Sequence, residues 1–179
     1  MDGRNVIDMY KYWPHEKIVN DLKLKRRPFI SVFEHINGDF NKASGIRNHN
    51  AFLGSDIYIV GPRARRYDKR GTVGTHHYEN VIYVDSIDHL IDTMSVDVAC
   101  SYRWVGVDNV ESSESIYDFV FPANTVMCFG EEGRGISDEL LEWCDNKVYI
   151  PQQGSVRSLN VGTASGIAMY EYSRQFQNN

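Results

Sequence analysis

Polar side chains and glycines gather at three points where the sequence pattern changes from strand to helix. The first point, "GDFNKASGIR", places Asn41 and Arg47 six residues apart, and the second, "CFGEEGRGIS", places Glu132 among glycines. The third, "RSLNVGTASG", has Ser158 and Asn160 on either side of a leucine, followed by a run of small residues. Glycine lets a backbone approach a ligand closely. The three stretches therefore predict a site built from backbone groups and a few polar side chains.

The elements that must position these residues alternate between strand and helix. Continuous apolar runs predict strands over 28–36, 56–61, 80–85, 96–102, 124–130 and 147–151. Helical spacing and capping residues predict helices over 15–27, 41–54, 87–94, 137–144 and 159–176. The stretch 103–123 stays unassigned, apart from a short helix at "SSESIYDF".

This alternation predicts an α/β fold, with a mostly parallel sheet covered by helices on both faces. Ligands of such folds bind beyond the carboxyl ends of the strands, where the three polar stretches fall. The length of 179 residues fits a single domain.

No apolar run reaches the length of a membrane-spanning helix, and the first ten residues lack a secretory signal, so we expect a cytoplasmic protein. The cysteines Cys100, Cys128 and Cys144 have no paired spacing and lie in apolar contexts. They are therefore expected to be reduced, buried thiols, and no metal site is predicted.

The net charge of -5 argues against binding nucleic acid by bulk charge alone. One local cluster, "RARRYDKR", nevertheless concentrates positive charge. It is either a solvated surface or a patch that contacts RNA phosphates. Its candidate RNA-binding residues are Arg63, Arg65, Arg66, Lys69 and Arg70.

Several common enzyme motifs are absent. The glycines of "CFGEEGRGIS" match neither the dinucleotide-binding fingerprint nor the phosphate-binding loop. "HEKIV" is not the zinc pattern H-E-x-x-H, and no serine lies in a G-x-S-x-G turn. An unrelated α/β hydrolase or metalloenzyme therefore has little support.

Three strings together resemble the ordered motifs of the SPOUT RNA methyltransferases, in the SpoU/TrmH branch of ribose 2'-O-methyltransferases. The strings are "FNKASGIRNHNAFLG", "VMCFGEEGRGIS" and "VYIPQQGSVRSLNVGTASGIAMYEYSRQ". The resemblance covers about 28–176. It divides the chain into a short N-terminal helical extension, 1–27, and a SPOUT methyltransferase domain, 28–179.

The resemblance implies a C-terminal deep trefoil knot and S-adenosylmethionine as cofactor. The substrate it implies is tRNA or rRNA, and the assembly a homodimer without a metal. The positions that match the family's catalytic set are Arg47, Asn41, Glu132, Ser158 and Asn160. Those that match its cofactor-binding set are Cys100, Phe129, Gly130, Ile150, Gln152, Ser158 and Leu159.

In the family, the arginine that Arg47 matches is central to catalysis. A guanidinium stays protonated in proteins, so a role in orienting the ribose hydroxyl and a phosphate is preferred to that of a base. Asn41, Glu132 and Ser158 are expected to hold Arg47 in place. Two alternatives remain open, which are a non-catalytic RNA-binding module and a base-methylating enzyme of the same superfamily. Gly162 and the loop "PQQG" depart from the family's usual pattern, so the detailed cofactor contacts stay open.

Overall fold

The structure, a computed structural model, describes residues 5–62, 67–94 and 96–176. Its helices are α1 (His15–Lys25), α2 (Asp39–Ala51), α3 (Ile87–Thr93), α4 (Val96–Ser101), α5 (Asp138–Trp143) and α6 (Val161–Gln175). Its strands are β1 (Phe29–Glu34), β2 (Ile57–Val60), β3 (Val81–Val84), β4 (Arg103–Val107), β5 (Glu114–Ser115), β6 (Thr125–Phe129) and β7 (Asn146–Tyr149). Short 3-10 helices cover Asp8–Tyr10, Lys69–Thr72 and Thr75–His77.

The strands form one sheet in the order β3-β2-β1-β6-β4-β7-β5, and every pair of neighbouring strands is parallel. The prediction of a mostly parallel sheet is confirmed. β6 lies between β1 and β4, with Phe129 in register with Phe33. The carboxyl ends of these strands therefore meet at one edge, where the site is expected.

Helices pack on both faces of the sheet, as predicted. One face holds the larger core cluster, in which Phe29 and Phe33 of β1 pack with Ile46 of α2 and Tyr172 of α6. The other face buries alternate residues of the same strands against Leu90 of α3 and other helical residues. Since successive side chains of a strand point to opposite faces, each continuous apolar run contributes residues to both core clusters.

The small residues of α6 allow it to lie close to α2. A Cβ on Gly162 would stand 2.8 Å from the Cβ of Ser44. Asn48 of α2 donates to the Gly162 carbonyl at 2.6 Å and to Ser165 Oγ at 3.1 Å. The small-residue run thus serves the packing of two helix backbones.

The predicted strand over 96–102 is wrong, because this stretch is helix α4 and the strand follows it as β4. Met94, Val98 and Tyr102, each four residues apart, all pack against the second core cluster. That spacing is helical, and the short apolar run concealed it. The predicted short helix at 112–119 is also wrong, since this stretch contains β5, which pairs with β7.

Cysteine burial differs from the expectation at one position. Cys128 is buried and Cys144 partly buried, but Cys100 is exposed on α4. All three are free thiols, as the absence of paired spacing indicated.

Candidate active site

A cavity with a volume of about 810 Å³ lies at the carboxyl ends of β4, β6 and β7. Residues of three segments, 107–110, 129–136 and 149–159, supply most of its walls. We call it the large cavity. Its volume is within the range of about 300–1,000 Å³ that small-molecule sites usually have.

Most residues of the predicted cofactor set line the large cavity. They are Phe129, Gly130, Ile150, Gln152, Ser158 and Leu159. Cys100 does not belong to this lining. It was placed at the end of a strand, but it lies on α4 before β4 begins, on the opposite edge of the sheet from the cavity.

Glycines let the loop 130–137 fold back on itself beside the cavity. A Cβ on Gly130 would stand 2.1–2.2 Å from backbone atoms of Gly135 and Ile136. Gly135 itself has φ of +74°, a conformation that other residues rarely adopt. The glycine pattern of "CFGEEGRGIS" is thus explained by the close approach of two backbone segments.

Two carboxylates that the sequence pattern did not indicate hold this loop. Asp108, just after β4, accepts a hydrogen bond from the Ile136 N–H at 2.7 Å. Glu34, at the end of β1 and 2% exposed, accepts from the Ser137 N–H at 2.8 Å and from its Oγ at 2.5 Å. The position of Asp108 at a strand end was hidden by the wrong placement of the fourth strand.

Three of the predicted catalytic side chains meet in one hydrogen-bond network. Asn41 donates to Glu132 Oε1 and to the Asn37 carbonyl. Asn160 donates to Asn41 Oδ1 at 2.8 Å and lies 3.5 Å from Glu132 Oε1. Asn160 Oδ1 also accepts from the Thr163 N–H, which caps α6. The network joins all three stretches singled out in the sequence.

The other two predicted catalytic residues stand apart from this network. Arg47 is exposed on α2 and forms no hydrogen bond or ion pair within the described part of the chain. Ser158 is exposed and lines the large cavity. Within the single chain none of the three side chains Asn41, Glu132 and Ser158 forms a hydrogen bond with Arg47, so the expectation that they hold it stays a prediction. Six residues of helix turn through about 600°, so Arg47 and Asn41 face different directions.

The basic cluster is only partly within the described residues. Arg63, Arg65 and Arg66 lie outside them, whereas Lys69 and Arg70 are exposed in the 3-10 helix Lys69–Thr72. The Arg70 guanidinium donates to the Asp68 carboxylate at 2.7–3.0 Å. This pairing lowers the pKa of Asp68, so a phosphate would have to compete with a carboxylate for Arg70.

One buried polar atom in the large cavity lacks a partner. Gln152 Oε1 accepts no hydrogen bond from any described residue, although it is shielded from solvent. An unpaired buried acceptor is costly, and a donor on a bound group would satisfy it.

Neither a helix able to span a membrane nor a metal-holding group of His, Cys, Asp or Glu occurs in the described part of the chain.

Comparison with known proteins adds a family match. Residues 28–170 match the model of the SpoU rRNA Methylase family. The tRNA (guanosine(18)-2'-O)-methyltransferase of Aquifex aeolicus is 28% identical over 89% of this chain and 75% of its own length. The 23S rRNA (guanosine-2'-O-)-methyltransferase RlmB of Salmonella typhi is 29% identical over 86% of this chain. The match covers 63% of RlmB, so this chain spans less than two thirds of that relative.

A solved structure has a similar fold. The SpoU methyltransferase AviRb of Streptomyces viridochromogenes, in complex with the cofactor AdoMet, superposes with a TM-score of 0.76 at 28% identity. The superposition covers 86% of this chain and 60% of AviRb.

Proposed function

Because this chain belongs to the SpoU rRNA methylase family, we propose that it transfers a methyl group from S-adenosylmethionine to a ribose 2'-hydroxyl of tRNA or rRNA. Relatives that carry this activity in their names, and the similar structure with bound AdoMet, support the proposal. The observation that carries it is the meeting of three chain segments at the large cavity, with Glu132 both in its wall and in the Asn41–Asn160 network.

The residues of the large cavity fit the cofactor. Backbone groups of Gly130, Ile150 and Leu159 would hold it, and Gln152 Oε1 would accept a hydrogen bond from one of its amino or hydroxyl groups. When bound, S-adenosylmethionine supplies a methyl group on a sulfonium, which an oxygen nucleophile can take.

Glu132 is placed to orient the ribose hydroxyl. Its Oε1 is occupied by the amides of Asn41 and Asn160, and no hydrogen bond among the described residues uses its Oε2. Oε2 would accept the hydrogen bond of the 2'-hydroxyl and so aim an oxygen lone pair at the methyl group, and it would take the hydroxyl proton as the oxygen–carbon bond forms and the sulfur–carbon bond breaks. Ser158 lies at the mouth of the same cavity, and Arg47 binds a phosphate of the RNA.

We further propose that the chain forms the deep trefoil knot that the resemblance implies. The Tyr172 hydroxyl donates to the Ala123 carbonyl at 2.5 Å, and Gln175 exchanges hydrogen bonds of 2.9 Å with Phe119 and Phe121. α6 therefore packs against the connection from β5 to β6. The chain enters α6 from β7, and β7 lies between β4 and β5 in the sheet.

The exposed surface of α2 and α6 supports a homodimer. Phe40 is 69% exposed on α2 and Tyr170 55% exposed on α6, and aromatic residues are enriched at the interfaces between protein chains. Arg47 lies on the same side of α2 as Phe40, seven residues on. We expect Phe40→Asp to convert a dimer to a monomer in sedimentation equilibrium, whereas Tyr12→Asp, at a 92% exposed residue of the N-terminal segment, leaves the dimer intact.

The activity is tested by incubating the purified protein with S-adenosylmethionine labelled in its methyl group and with total tRNA or rRNA. A ribose 2'-O-methyl removes the hydroxyl that alkaline cleavage needs, so label in alkali-resistant dinucleotides is the expected result. Label in mononucleotides would instead indicate base methylation. Cofactor binding without label transfer would indicate a non-catalytic module.

A matched pair of variants checks the assignment of Glu132. Glu132→Gln removes one carboxylate from the network and is expected to lower kcat with little change in cofactor affinity. Glu142→Gln makes the same chemical change on an exposed position of α5, outside the cavity, and should leave both unchanged. Equal kcat values for the two variants would remove Glu132 from the reaction.

A further inference from the structure

A second cavity of about 460 Å³ lies beside the large cavity, at the carboxyl ends of β1 and β2. We call it the small cavity. Residues of three segments, 34–37, 60–62 and 131–137, supply most of its walls. Glu131, Arg134 and Gly135 line both cavities. The loop that carries them is a shared wall, so one nucleoside can place its base in the small cavity and its ribose beside the large one.

The small cavity contains a carboxylate with an open acceptor position. Asn37 donates to Glu131 Oε1 at 2.5 Å, and no hydrogen bond among the described residues uses Glu131 Oε2. Glu34, the other carboxylate in the lining, is engaged by the N–H and Oγ of Ser137. Glu131 is therefore the carboxylate that can accept hydrogen bonds from a ligand.

Arg134 supplies the complementary donors. It is exposed, lines the small cavity, and forms no hydrogen bond or ion pair with another described residue. Its guanidinium presents several N–H donors in one plane. The lining of the small cavity thus contains both an open acceptor, on Glu131, and a set of donors, on Arg134.

An imidazole lies at the rim of the small cavity. His35 has φ of +50° and is exposed, and its ring lies against Gly61, where a Cβ would stand 2.7 Å from the His35 Nδ1. Histidine rings are among the side chains on which unstacked RNA bases stack. The rim can therefore receive the flat face of a base.

We propose that the small cavity binds a guanine base of the RNA and that Glu131 selects it; this proposal rests on the methyl transfer proposed above. Of the four RNA bases, only guanine has two adjacent N–H donors, at N1 and N2, on its Watson–Crick edge, next to the O6 acceptor. Glu131 takes this donor pair with its free Oε2 and with the second lone pair of Oε1, which also accepts from Asn37, and Arg134 donates to O6. Adenine and cytosine offer an amino group next to an acceptor, and uracil a single N–H between two acceptors.

The first test identifies the methylated nucleoside. RNA labelled by the wild-type enzyme is digested to nucleosides and separated by chromatography. The expected product is 2'-O-methylguanosine. The 2'-O-methyl derivative of adenosine, cytidine or uridine as the main product overturns the guanine proposal while leaving the methyltransferase proposal intact.

The second test measures selection by Glu131. Short transcripts carry guanosine or inosine at the mapped position, because inosine lacks only the N2 donor. The wild-type kcat/KM is expected to fall about 10-fold with inosine. Glu131→Gln, which keeps an acceptor for Asn37 but presents a donor to the base, should lose about 10- to 100-fold with guanosine and no longer distinguish the two transcripts.

Controls separate selection from a general structural effect. Glu131→Gln should retain wild-type cofactor affinity by calorimetry, and Glu142→Gln should retain wild-type discrimination. If Glu131→Gln still prefers guanosine over inosine by the wild-type factor, Glu131 does not read the base.

A binding measurement gives a result that does not depend on turnover. With the protein saturated in S-adenosylhomocysteine, saturation-transfer NMR compares 5'-GMP with 5'-AMP, 5'-CMP and 5'-UMP. The expected result is a signal for 5'-GMP that is reduced by Glu131→Gln. Equal signals from the four nucleotides overturn the proposal. Selective 5'-GMP binding without RNA methylation would support the base site and count against the proposed reaction.

Discussion

His49 makes the stability of the fold depend on pH in a way that can be measured. Its side chain is fully buried, with Nδ1 2.8 Å from Ser31 Oγ and Nε2 without a hydrogen-bond partner in the described chain. Nε2 lies 3.8 Å from the carboxylate of Glu79, which is paired with Arg26 at 2.6 Å. Burial, together with the charge of Arg26, lowers the pKa of His49 from 6.5 to about 3.

The direction of the effect follows from this lowered pKa. Below pH 6.5 His49 is protonated in the unfolded chain, whereas in the folded protein it stays neutral until the pH falls to about 3. The contribution of His49 to the free energy of unfolding is therefore complete above pH 6.5. It decreases as the pH falls, by about 1.4 kcal/mol per pH unit. Between pH 7 and pH 5 the loss amounts to about 2 kcal/mol. Burial raises the pKa of Glu79, so the titration of Glu79 increases the stability of the fold as the pH falls. Because this effect opposes that of His49, the wild type must be compared with a variant that lacks only His49.

Urea denaturation at pH 7, 6 and 5 measures the free energy of unfolding for the wild type and for His49→Gln. Glutamine can keep a hydrogen bond to Ser31 but does not titrate. We expect the wild type to lose about 2 kcal/mol more than the variant over this range. His89→Gln, at an exposed position, should follow the wild-type slope. A difference between wild type and His49→Gln that stays constant from pH 7 to pH 5 would refute the reasoning.

Three further substitutions test the site and its support. Gly130→Ala should weaken cofactor binding at least 100-fold in calorimetry, because its Cβ would stand 2.1 Å from a backbone carbon, whereas Gly154→Ala, with no atom within 4 Å, should bind normally. Gly162→Ala should lower the free energy of unfolding by about 1–3 kcal/mol through overpacking. Gly166→Ala, whose closest contact is a side-chain nitrogen at 3.2 Å, should cost less in the same urea titration. Arg47→Ala should keep cofactor affinity but abolish label transfer to RNA, and unchanged turnover would exclude Arg47 from the reaction.

The sequence predicted the sheet and the place of the site because both depend on local patterns. The continuous apolar runs at β1 and β6 mark strands that are buried on both faces, and such strands occur in parallel sheets. Once the sheet is parallel, the stretches after β1 and β6 must share an edge with the stretch after β7. The meeting of Asn41, Glu132 and Asn160 follows from that topology.

Features that depend on packing between distant segments could not be predicted. The spacing of Asn41 and Arg47 gives their relative angle on α2, but only the contact of α2 with α6 decides which of them faces Asn160. α4 was read as a strand because its run is too short to separate a helical from a strand period. The helical spacing becomes visible only once Met94 and Tyr102, which flank α4, are known to pack in the same core cluster as Val98.

The loop 130–137, which separates the two cavities, is held in place by hydrogen bonds from both sides. Consecutive backbone N–H groups, of Ile136 and Ser137, donate to Asp108 and Glu34. These carboxylates follow β4 and end β1, the strands on either side of β6. The wall between the two cavities is therefore anchored from both neighbours of the strand that it leaves. Because methyl transfer requires a small, fixed separation between nucleophile and donor, a wall anchored in this way would favour the proposed reaction more than additional contacts to either ligand.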